Sequence, residues 1–166
     1  MYIQTLLTRR RVSVGVAATT KQRLFECVGE LLHAETDILD AKQAADALAA
    51  RERLGSTGVG SGVALPHGRV AGLPAALGAF CTLERALDYG ALDHKPVTMV
   101  FALLVPIEAN EEHLKILAEL AGLFANKAWR ESLLAAPSAE ELYNRLTHPL
   151  PARPTHDPTT HGTRSV

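Results

Sequence analysis

The sequence has no excess of basic residues and no long apolar run. Its 17 lysines and arginines stand against 18 acidic residues, for a formal net charge of −1, whereas nucleic-acid-binding proteins usually carry a clear positive surplus. The longest apolar run, residues 99–105, is far shorter than the ~20 residues that a membrane-spanning helix needs. We therefore expect a cytoplasmic protein that neither binds nucleic acid nor inserts into a membrane.

Cysteine is also scarce, since Cys27 and Cys81 are the only two in 166 residues. Two cysteines do not make a disulfide framework. Neither belongs to a Cys-x-x-Cys pair, and neither adjoins a histidine. We predict that both are small buried hydrophobic residues and that thiol chemistry plays no part in the function.

Hydrophobic patterning and capping signals divide most of the chain into short strands and amphipathic helices. Strands are predicted at 12–16, 63–65, 75–83 and 97–105, and helices at 19–33, 40–54, 110–124 and 138–147. Three helices open on capping boxes and one on a capping asparagine: Thr19 with Gln22, Asp40 with Gln43, Ser138 with Glu141, and Asn110. Because the helices fall in groups and do not alternate strictly with strands, we predict an α/β fold, a three-layer α/β/α sandwich with a mixed β-sheet.

Two segments differ in composition from the rest of the chain. Residues 97–105 are apolar nearly throughout, which predicts a central strand covered on both faces. Residues 149–166 are rich in Pro, Thr and His and nearly lack aliphatic side chains. Such a segment cannot bury enough apolar surface to offset its ordering entropy. We therefore predict one domain over residues 1–148, followed by a disordered tail over residues 149–166.

The informative segment is RERLGSTGVGSGVALPHGR, residues 51–69, in which glycine recurs. It is not a P-loop, because it contains no lysine. It is not a dinucleotide-binding fingerprint, because Val63 stands where the third glycine is needed. It is not an esterase nucleophile elbow either, because Val59 stands two residues before Ser61, where that elbow needs glycine.

His67 lies between Pro66 and Gly68 at the end of a predicted apolar strand. Proline restricts the backbone on one side and glycine leaves room on the other, so we expect a firmly held imidazole with its ring exposed beyond the strand. A neutral imidazole is a competent nucleophile near pH 7. Taken alone, a surface histidine in a turn is the more ordinary interpretation of this residue.

Two further residues are candidate partners of His67. Arg51 lies near the end of the second predicted helix, where its guanidinium could bind phosphate oxygens in bidentate fashion. His113 lies in the first turn of the helix that begins at Asn110, where free N–H groups favour an anion. The alternatives are a solvated surface cation and a polar first-turn residue. No metal site is indicated, since NEEHL at 110–114 lacks the HExxH pattern and a third ligand.

The stretch GSTGVGSGVALPHGR, residues 55–69, resembles the phosphorylation-site region of mannitol/fructose-type enzyme IIA domains of the bacterial phosphotransferase system. Within that group it is most similar to the nitrogen-regulatory branch, because Gly68 stands where the fructose-type domains commonly have alanine. Four further segments match the family in order and spacing: TTKQRLFE (19–26), PVTMVFALLVP (96–106), EEHLKILAELAGLF (111–124) and SAEELYNRL (138–146). The resemblance covers residues 1–147.

The resemblance implies the roles of three residues and the class of partner. The phosphoryl-accepting histidine of the family falls on His67, its site arginine on Arg51 and its second site histidine on His113. It implies an HPr-type carrier as phosphate donor. Sugar-transporting members pass the phosphate to a cysteine of an enzyme IIB domain. Nitrogen-branch members instead regulate targets such as potassium-transport and sensor-kinase proteins.

A phosphotransferase mechanism without cofactor or metal follows from this resemblance. Nε2 of His67 attacks the phosphorus in line while Nδ1–H is held by a hydrogen bond. Arg51 and His113 bind the equatorial oxygens, helped by the loop residues Ser56, Thr57, Gly58 and Gly60. The partner is expected to dock on an apolar surface that includes Val59, Val63 and Val70. The alternatives are a sugar-transport enzyme IIA and an interaction module that has lost phosphorylation.

Overall fold

The computed structural model describes residues 3–109 and 111–148. Within these residues the strands are β1 (Val12–Val16), β2 (Gly58–Gly60), β3 (Val63–Ala64), β4 (His67–Val70), β5 (Leu77–Leu87) and β6 (Val97–Pro106). The helices are α1 (Lys21–His33), α2 (Ala41–Glu52), α3 (Glu111–Phe124), α4 (Lys127–Leu134) and α5 (Ala139–Thr147). Two short 3₁₀ turns, Ile3–Thr5 and Arg9–Arg11, precede β1.

β6 lies at the centre of the sheet, whose order is β1–β5–β6–β3–β2. On one edge β6 pairs antiparallel with β5, and β5 pairs parallel with β1. On the other edge β6 pairs parallel with β3 at Met99 and Val100, and then with β4 from Leu103 onward. The sheet is therefore mixed, as predicted, and β3 and β4 lie end to end beside the same strand.

Helices cover both faces of the sheet. One face packs against α1 and α2 through Leu24, Val28, Leu32, Ala44 and Leu48. The other face packs against α3, α4 and α5 through Leu120, Phe124, Trp129, Leu133, Leu142 and Leu146. β6 supplies both cores, with Val100, Ala102 and Leu104 on one side and Met99, Phe101 and Leu103 on the other. The three-layer sandwich and the doubly covered central strand are confirmed.

The helix starts follow the predicted capping chemistry in part. The Asp40 carboxylate accepts from the Gln43 amide while the Gln43 side chain accepts from the Asp40 amide, so that capping box is present. At α5 only half of the predicted capping box is seen, since the Ser138 hydroxyl accepts from the Glu141 amide while the Glu141 carboxylate accepts from Arg145. The prediction for α1 is wrong by one residue, because Thr20, and not Thr19, accepts from the Arg23 amide.

Some predicted features lie outside the described residues, and others differ from the structure in their bounds or burial. The cap at Asn110 and the disordered tail at 149–166 fall outside the described ranges. Strand β5 begins two residues later than predicted and extends to Leu87, while α2 ends at Glu52, before the predicted boundary. Cys81 is buried as predicted, whereas Cys27 on α1 is only half-buried.

Gly68 brings strand β4 unusually close to helix α2. A Cβ atom added at Gly68 would lie 2.7 Å from the carbonyl oxygen of Ala47 and 2.9 Å from its Cβ. Real Cβ atoms do not approach backbone this closely, so only glycine fits without a shift of strand or helix. Ala47 lies one helical turn before Arg51, and His67 directly precedes Gly68. The contact therefore sets the spacing between the elements that carry those two side chains.

We expect Gly68→Ala to destabilise the domain by about 1–3 kcal/mol, because the added methyl overpacks a close helix–strand contact. The matched control is Gly122→Ala in the exposed part of α3, where an added Cβ meets nothing within 4 Å. That change should instead stabilise the domain by up to about 1 kcal/mol through helix propensity. Urea unfolding of both variants measures the difference, and a Gly68→Ala protein as stable as the unsubstituted protein would contradict the assigned contact.

Candidate active site around His67

His67 is the first residue of β4, and its ring is held by the backbone immediately before it. Nδ1 of His67 lies 2.9 Å from the carbonyl oxygen of Leu65. A carbonyl oxygen accepts but cannot donate, so Nδ1 carries the proton and donates it. The neutral ring then has its free electron pair on Nε2, the atom that can attack phosphorus. The prediction of an exposed ring beyond the end of a strand is wrong, because His67 is half-buried and begins strand β4.

The surroundings of His67 keep the imidazole neutral. Burial lowers the pKa of His67 below its ordinary value of 6.5, and the positive charge of Arg51 and the neighbouring His113 lower it further. The Leu65 carbonyl and the Glu52 carboxylate act in the opposite direction without reversing the shift. A lowered pKa leaves the ring unprotonated at neutral pH, as a nucleophile requires.

The structure brings Arg51 and His113 to the depression that His67 lines. The rings of His67 and His113 have their centroids 5.7 Å apart and are tilted by 43°. His113 is 8% exposed, in the first turn of α3. Arg51 lies in the last turn of α2, where its Nη1 donates to the carbonyl oxygen of Gly55 at 2.9 Å. The three predicted residues therefore come from a strand and from the ends of two different helices.

Two neighbouring depressions meet at His67. The larger, about 610 Å³, is lined by Arg51, His67, Arg69, His113 and apolar residues of α2 and α3. The smaller, about 320 Å³, is lined by Arg51, Ser56, Thr57 and His67 together with part of α3. Arg51 and His67 both line each depression, so the two side chains border the same open space.

The four predicted loop residues divide into two pairs. Ser56 and Thr57 line the smaller depression, but the Thr57 hydroxyl and amide are directed to the carboxylate of Glu52. Gly58 and Gly60 line neither depression. The amide of Gly58 donates to the Ser56 hydroxyl, and a Cβ at Gly58 would lie 2.7 Å from that of Ala91. These glycines thus serve the β2–β3 hairpin and its packing.

The rim of the site carries apolar side chains that sequence reasoning missed. Leu54 is 82% exposed and Leu114 is 61% exposed, and both line the larger depression. Of the predicted docking residues, Val59 is 51% exposed, whereas Val63 is buried and Val70 packs against the core. Val63 was therefore a wrong choice, because it faces the core from strand β3.

Arg69 was also missed, although its position follows from the strand period. Residues two apart on a strand share a face, so Arg69 of β4 lies on the same side as His67 and lines the larger depression. Its Nη1 donates to the carbonyl oxygen of Ile107 at 3.3 Å. The alternation of side chains along β4 could not be used, because β4 itself was not predicted as a strand.

The described part of the chain shows neither a cluster of metal-binding side chains nor a membrane-spanning helix. In residues 3–109 and 111–148, no three His, Cys, Asp or Glu side chains converge as metal ligands would. Among the described helices, none combines the length and apolar character that crossing a membrane demands.

We expect the His67 ring to titrate below pH 6.5, because burial and its neighbours Arg51 and His113 lower its pKa. Arg51→Ala removes the positive charge of one of these neighbours, so the pKa of His67 should rise toward 6.5. Arg53→Ala is the matched control, since that arginine borders neither depression. Ring ¹⁵N shifts followed by NMR between pH 4 and 8 measure both effects, and a midpoint above 6.5 in the unsubstituted protein would contradict the described environment.

Comparison with known proteins places this site in a family. The family described as phosphoenolpyruvate-dependent sugar phosphotransferase system, EIIA 2, matches residues 5–148. The nitrogen regulatory protein of Pseudomonas aeruginosa is 40% identical over 141 residues, covering 85% of this chain and 92% of the relative. The crystal structure of nitrogen regulatory protein IIA-Ntr from Neisseria meningitidis is 45% identical, with a TM-score of 0.77, and the match covers 87% of this chain and 99% of that one.

A sugar-branch relative matches over a similar length at lower identity. The fructose-specific EIIA component of Haloferax volcanii is 31% identical over 144 residues, or 87% of this chain and 94% of the relative. The matched region of the family, residues 5–148, contains all the elements that surround His67. The chain therefore belongs to the EIIA 2 family of the phosphoenolpyruvate-dependent sugar phosphotransferase system.

Proposed function

We propose that this protein is a regulatory phosphocarrier of the nitrogen branch, which accepts a phosphoryl group on Nε2 of His67 from an HPr-type carrier. The observation that carries this proposal is the Nδ1–H bond to the Leu65 carbonyl, which leaves the Nε2 electron pair free. That nitrogen belongs to a ring that opens onto two depressions shared with Arg51.

The transfer is an in-line displacement. The Nε2 electron pair forms a bond to phosphorus as the bond from phosphorus to the donor breaks and its electrons leave with the donor. The Arg51 guanidinium and His113, at the start of α3, stabilise the negative charge on the equatorial phosphoryl oxygens. The ring keeps its proton on Nδ1, and the Leu65 carbonyl stabilises the cationic phosphoimidazole. These steps use side chains of this protein and need no cofactor.

The apolar rim supplies a docking surface for the donor. Leu54, Val59 and Leu114 are half or more exposed around the site, and Leu117 lies in both depressions between them. Exposed apolar residues grouped around a reactive group are typical of a surface that a protein partner covers. A donor covering this rim would exclude water from the phosphoryl group during transfer.

The nitrogen branch is favoured over sugar transport by identity and by Gly68. Relatives named nitrogen regulatory protein are between 34% and 45% identical to this chain, against 31% for the fructose-specific component. In this role the phosphorylation state of His67 controls binding to regulated targets in the cytoplasm, such as potassium-transport or sensor-kinase proteins. The sugar alternative retains support from the fructose-specific relative.

A phosphotransfer assay with two acceptors separates these functions. The protein is incubated with phosphoenolpyruvate, the first enzyme of the pathway and an HPr-type carrier, and then with an enzyme IIB. We expect acid-labile, base-stable phosphate on the protein and no rapid passage to the IIB cysteine. Rapid passage to that cysteine would support sugar transport, and absence of any label would overturn the phosphocarrier proposal.

A further inference from the structure

The buried carboxylate of Glu52 is next to the site without forming part of it. The Glu52 side chain is 6% exposed and pairs with Nζ of Lys21 at 2.9 Å. It also accepts from the Thr57 amide and hydroxyl, and from the Tyr89 hydroxyl at 3.2 Å. With four donor groups, this carboxylate is fully satisfied, as a buried charge must be.

These bonds join four separate parts of the chain. Lys21 begins α1, Glu52 ends α2, Thr57 precedes β2, and Tyr89 lies between β5 and β6. The Tyr89 hydroxyl and Thr57 hydroxyl are themselves 2.8 Å apart, and the Lys21 ammonium lies 4.4 Å from the centre of the Tyr89 ring. The carboxylate is thus the common acceptor of the cluster, and its partners do not reach into either depression except through Thr57.

Two hydrogen-bonded contacts and the short backbone segment between them connect Glu52 with the Arg51 guanidinium. Glu52 holds Thr57, and Thr57 is two residues from Gly55, whose carbonyl oxygen accepts from Nη1 of Arg51 at 2.9 Å. The segment from Gly55 to Thr57 therefore has two fixed points, one on Glu52 and one on Arg51. Because Nη1 of Arg51 is bonded to Gly55, the position of this segment decides where the guanidinium lies relative to His67.

We propose that Glu52 is the positioning residue of this site, whose buried carboxylate fixes residues 55–57 and through them the Arg51 guanidinium beside His67. This inference rests on the proposed phosphocarrier function. Glu52 does not contact the phosphoryl group and is not a catalytic residue. It acts through Arg51 and through its negative charge, which opposes the positive charge of Arg51 at the His67 ring.

Glu52→Gln tests this role because it keeps the side-chain shape and removes the charge. We expect kcat for phosphotransfer to fall by between about tenfold and a hundredfold, as misplacement of a charge-stabilising group does, while KM for the carrier stays nearly unchanged. Tyr89→Phe is the matched control, since it removes one donor of the same carboxylate and the contact with the Thr57 hydroxyl but leaves the bonds from Thr57 to Glu52 intact. Its kcat should fall by less than about threefold.

A second measurement needs no phosphate donor. Removal of the negative charge in Glu52→Gln should lower the pKa of His67 further, seen by NMR titration, whereas Tyr89→Phe should leave it unchanged. If Glu52→Gln does not fold, Thr57→Val removes the hydroxyl bond to Glu52 while keeping the amide bond, and it should lower kcat in the same direction by a smaller factor. An unchanged kcat together with an unchanged His67 titration overturns the positioning role. Should the unsubstituted protein accept no phosphate, the phosphocarrier function fails, and the titration still decides whether Glu52 acts on the site.

Discussion

His67→Ala should abolish phosphate uptake from an HPr-type carrier, because the variant lacks the Nε2 electron pair that forms the new bond. The expected loss is complete, unlike the partial losses caused by removing a positioning or charge-stabilising group. His67 is half-buried at the start of a strand, so alanine should preserve the fold, and circular dichroism will show an unchanged spectrum. Transfer from a radiolabelled carrier measures the uptake directly.

The matched control for this variant is His94→Ala. His94 is exposed and lies between β5 and β6, apart from both depressions. That variant should take up phosphate at the unsubstituted rate. Label remaining on the His67→Ala protein would show that another residue accepts the phosphoryl group.

Arg51→Ala should slow phosphotransfer by up to about a hundredfold, equivalent to ~3 kcal/mol of transition-state stabilisation. Arg51 lines both depressions. Its guanidinium is expected to stabilise the negative charge that develops on the phosphoryl oxygens. The domain should remain folded, since Arg51 contributes no side chain to either core. Single-turnover transfer followed by rapid quench gives the rate.

Three further variants separate the effects of charge, geometry and location. Arg51→Lys keeps the charge without the planar fork, so its rate should fall between those of the alanine variant and the unsubstituted protein. Arg53→Ala, two residues along and exposed, should transfer at the normal rate. His113→Ala should lose less than Arg51→Ala. Normal rates in both Arg51→Ala and His113→Ala would show that the three-residue site is wrong.

Several elements were predictable because their signals are local. β1 has the predicted bounds. β6 differs from its prediction by one residue, because a continuous apolar run has one stable location when both faces of a sheet are covered. The Asp40 cap was predictable because the two bonds of a capping box lie within four residues. At α1, two adjacent threonines offer the same cap, and the pattern alone did not decide between them.

Other elements depend on contacts between distant residues. β4, HGRV, has little strand propensity and becomes a strand by pairing with Leu103–Pro106 of β6. Helix α4 is short and opens on Asn126, whose side chain accepts from the Trp129 amide, a cap that was overlooked between two longer helices. Tertiary pairing and short length therefore account for these omissions.

The site was predicted more fully than the surroundings that hold it. His67, Arg51 and His113 were placed by motif and resemblance, and the structure brings them together. The loop glycines Gly58 and Gly60, predicted to bind phosphate, line neither depression. Glycine indicates backbone freedom or close packing and does not say which neighbour requires it. Glu52 was missed because its partners lie 31, 5 and 37 residues away, and no sequence pattern relates them.

The nitrogen atom that carries the phosphate tests the central claim most directly. Long-range ¹H–¹⁵N correlation spectra of the uniformly ¹⁵N-labelled protein, recorded after phosphorylation by an HPr-type carrier, identify that atom from the ring shifts. The Leu65 carbonyl holds the proton on Nδ1 of His67, so the phosphoryl group should be bound to Nε2 of this residue. Phosphate on Nδ1 of His67, or on any other side chain, would contradict the account.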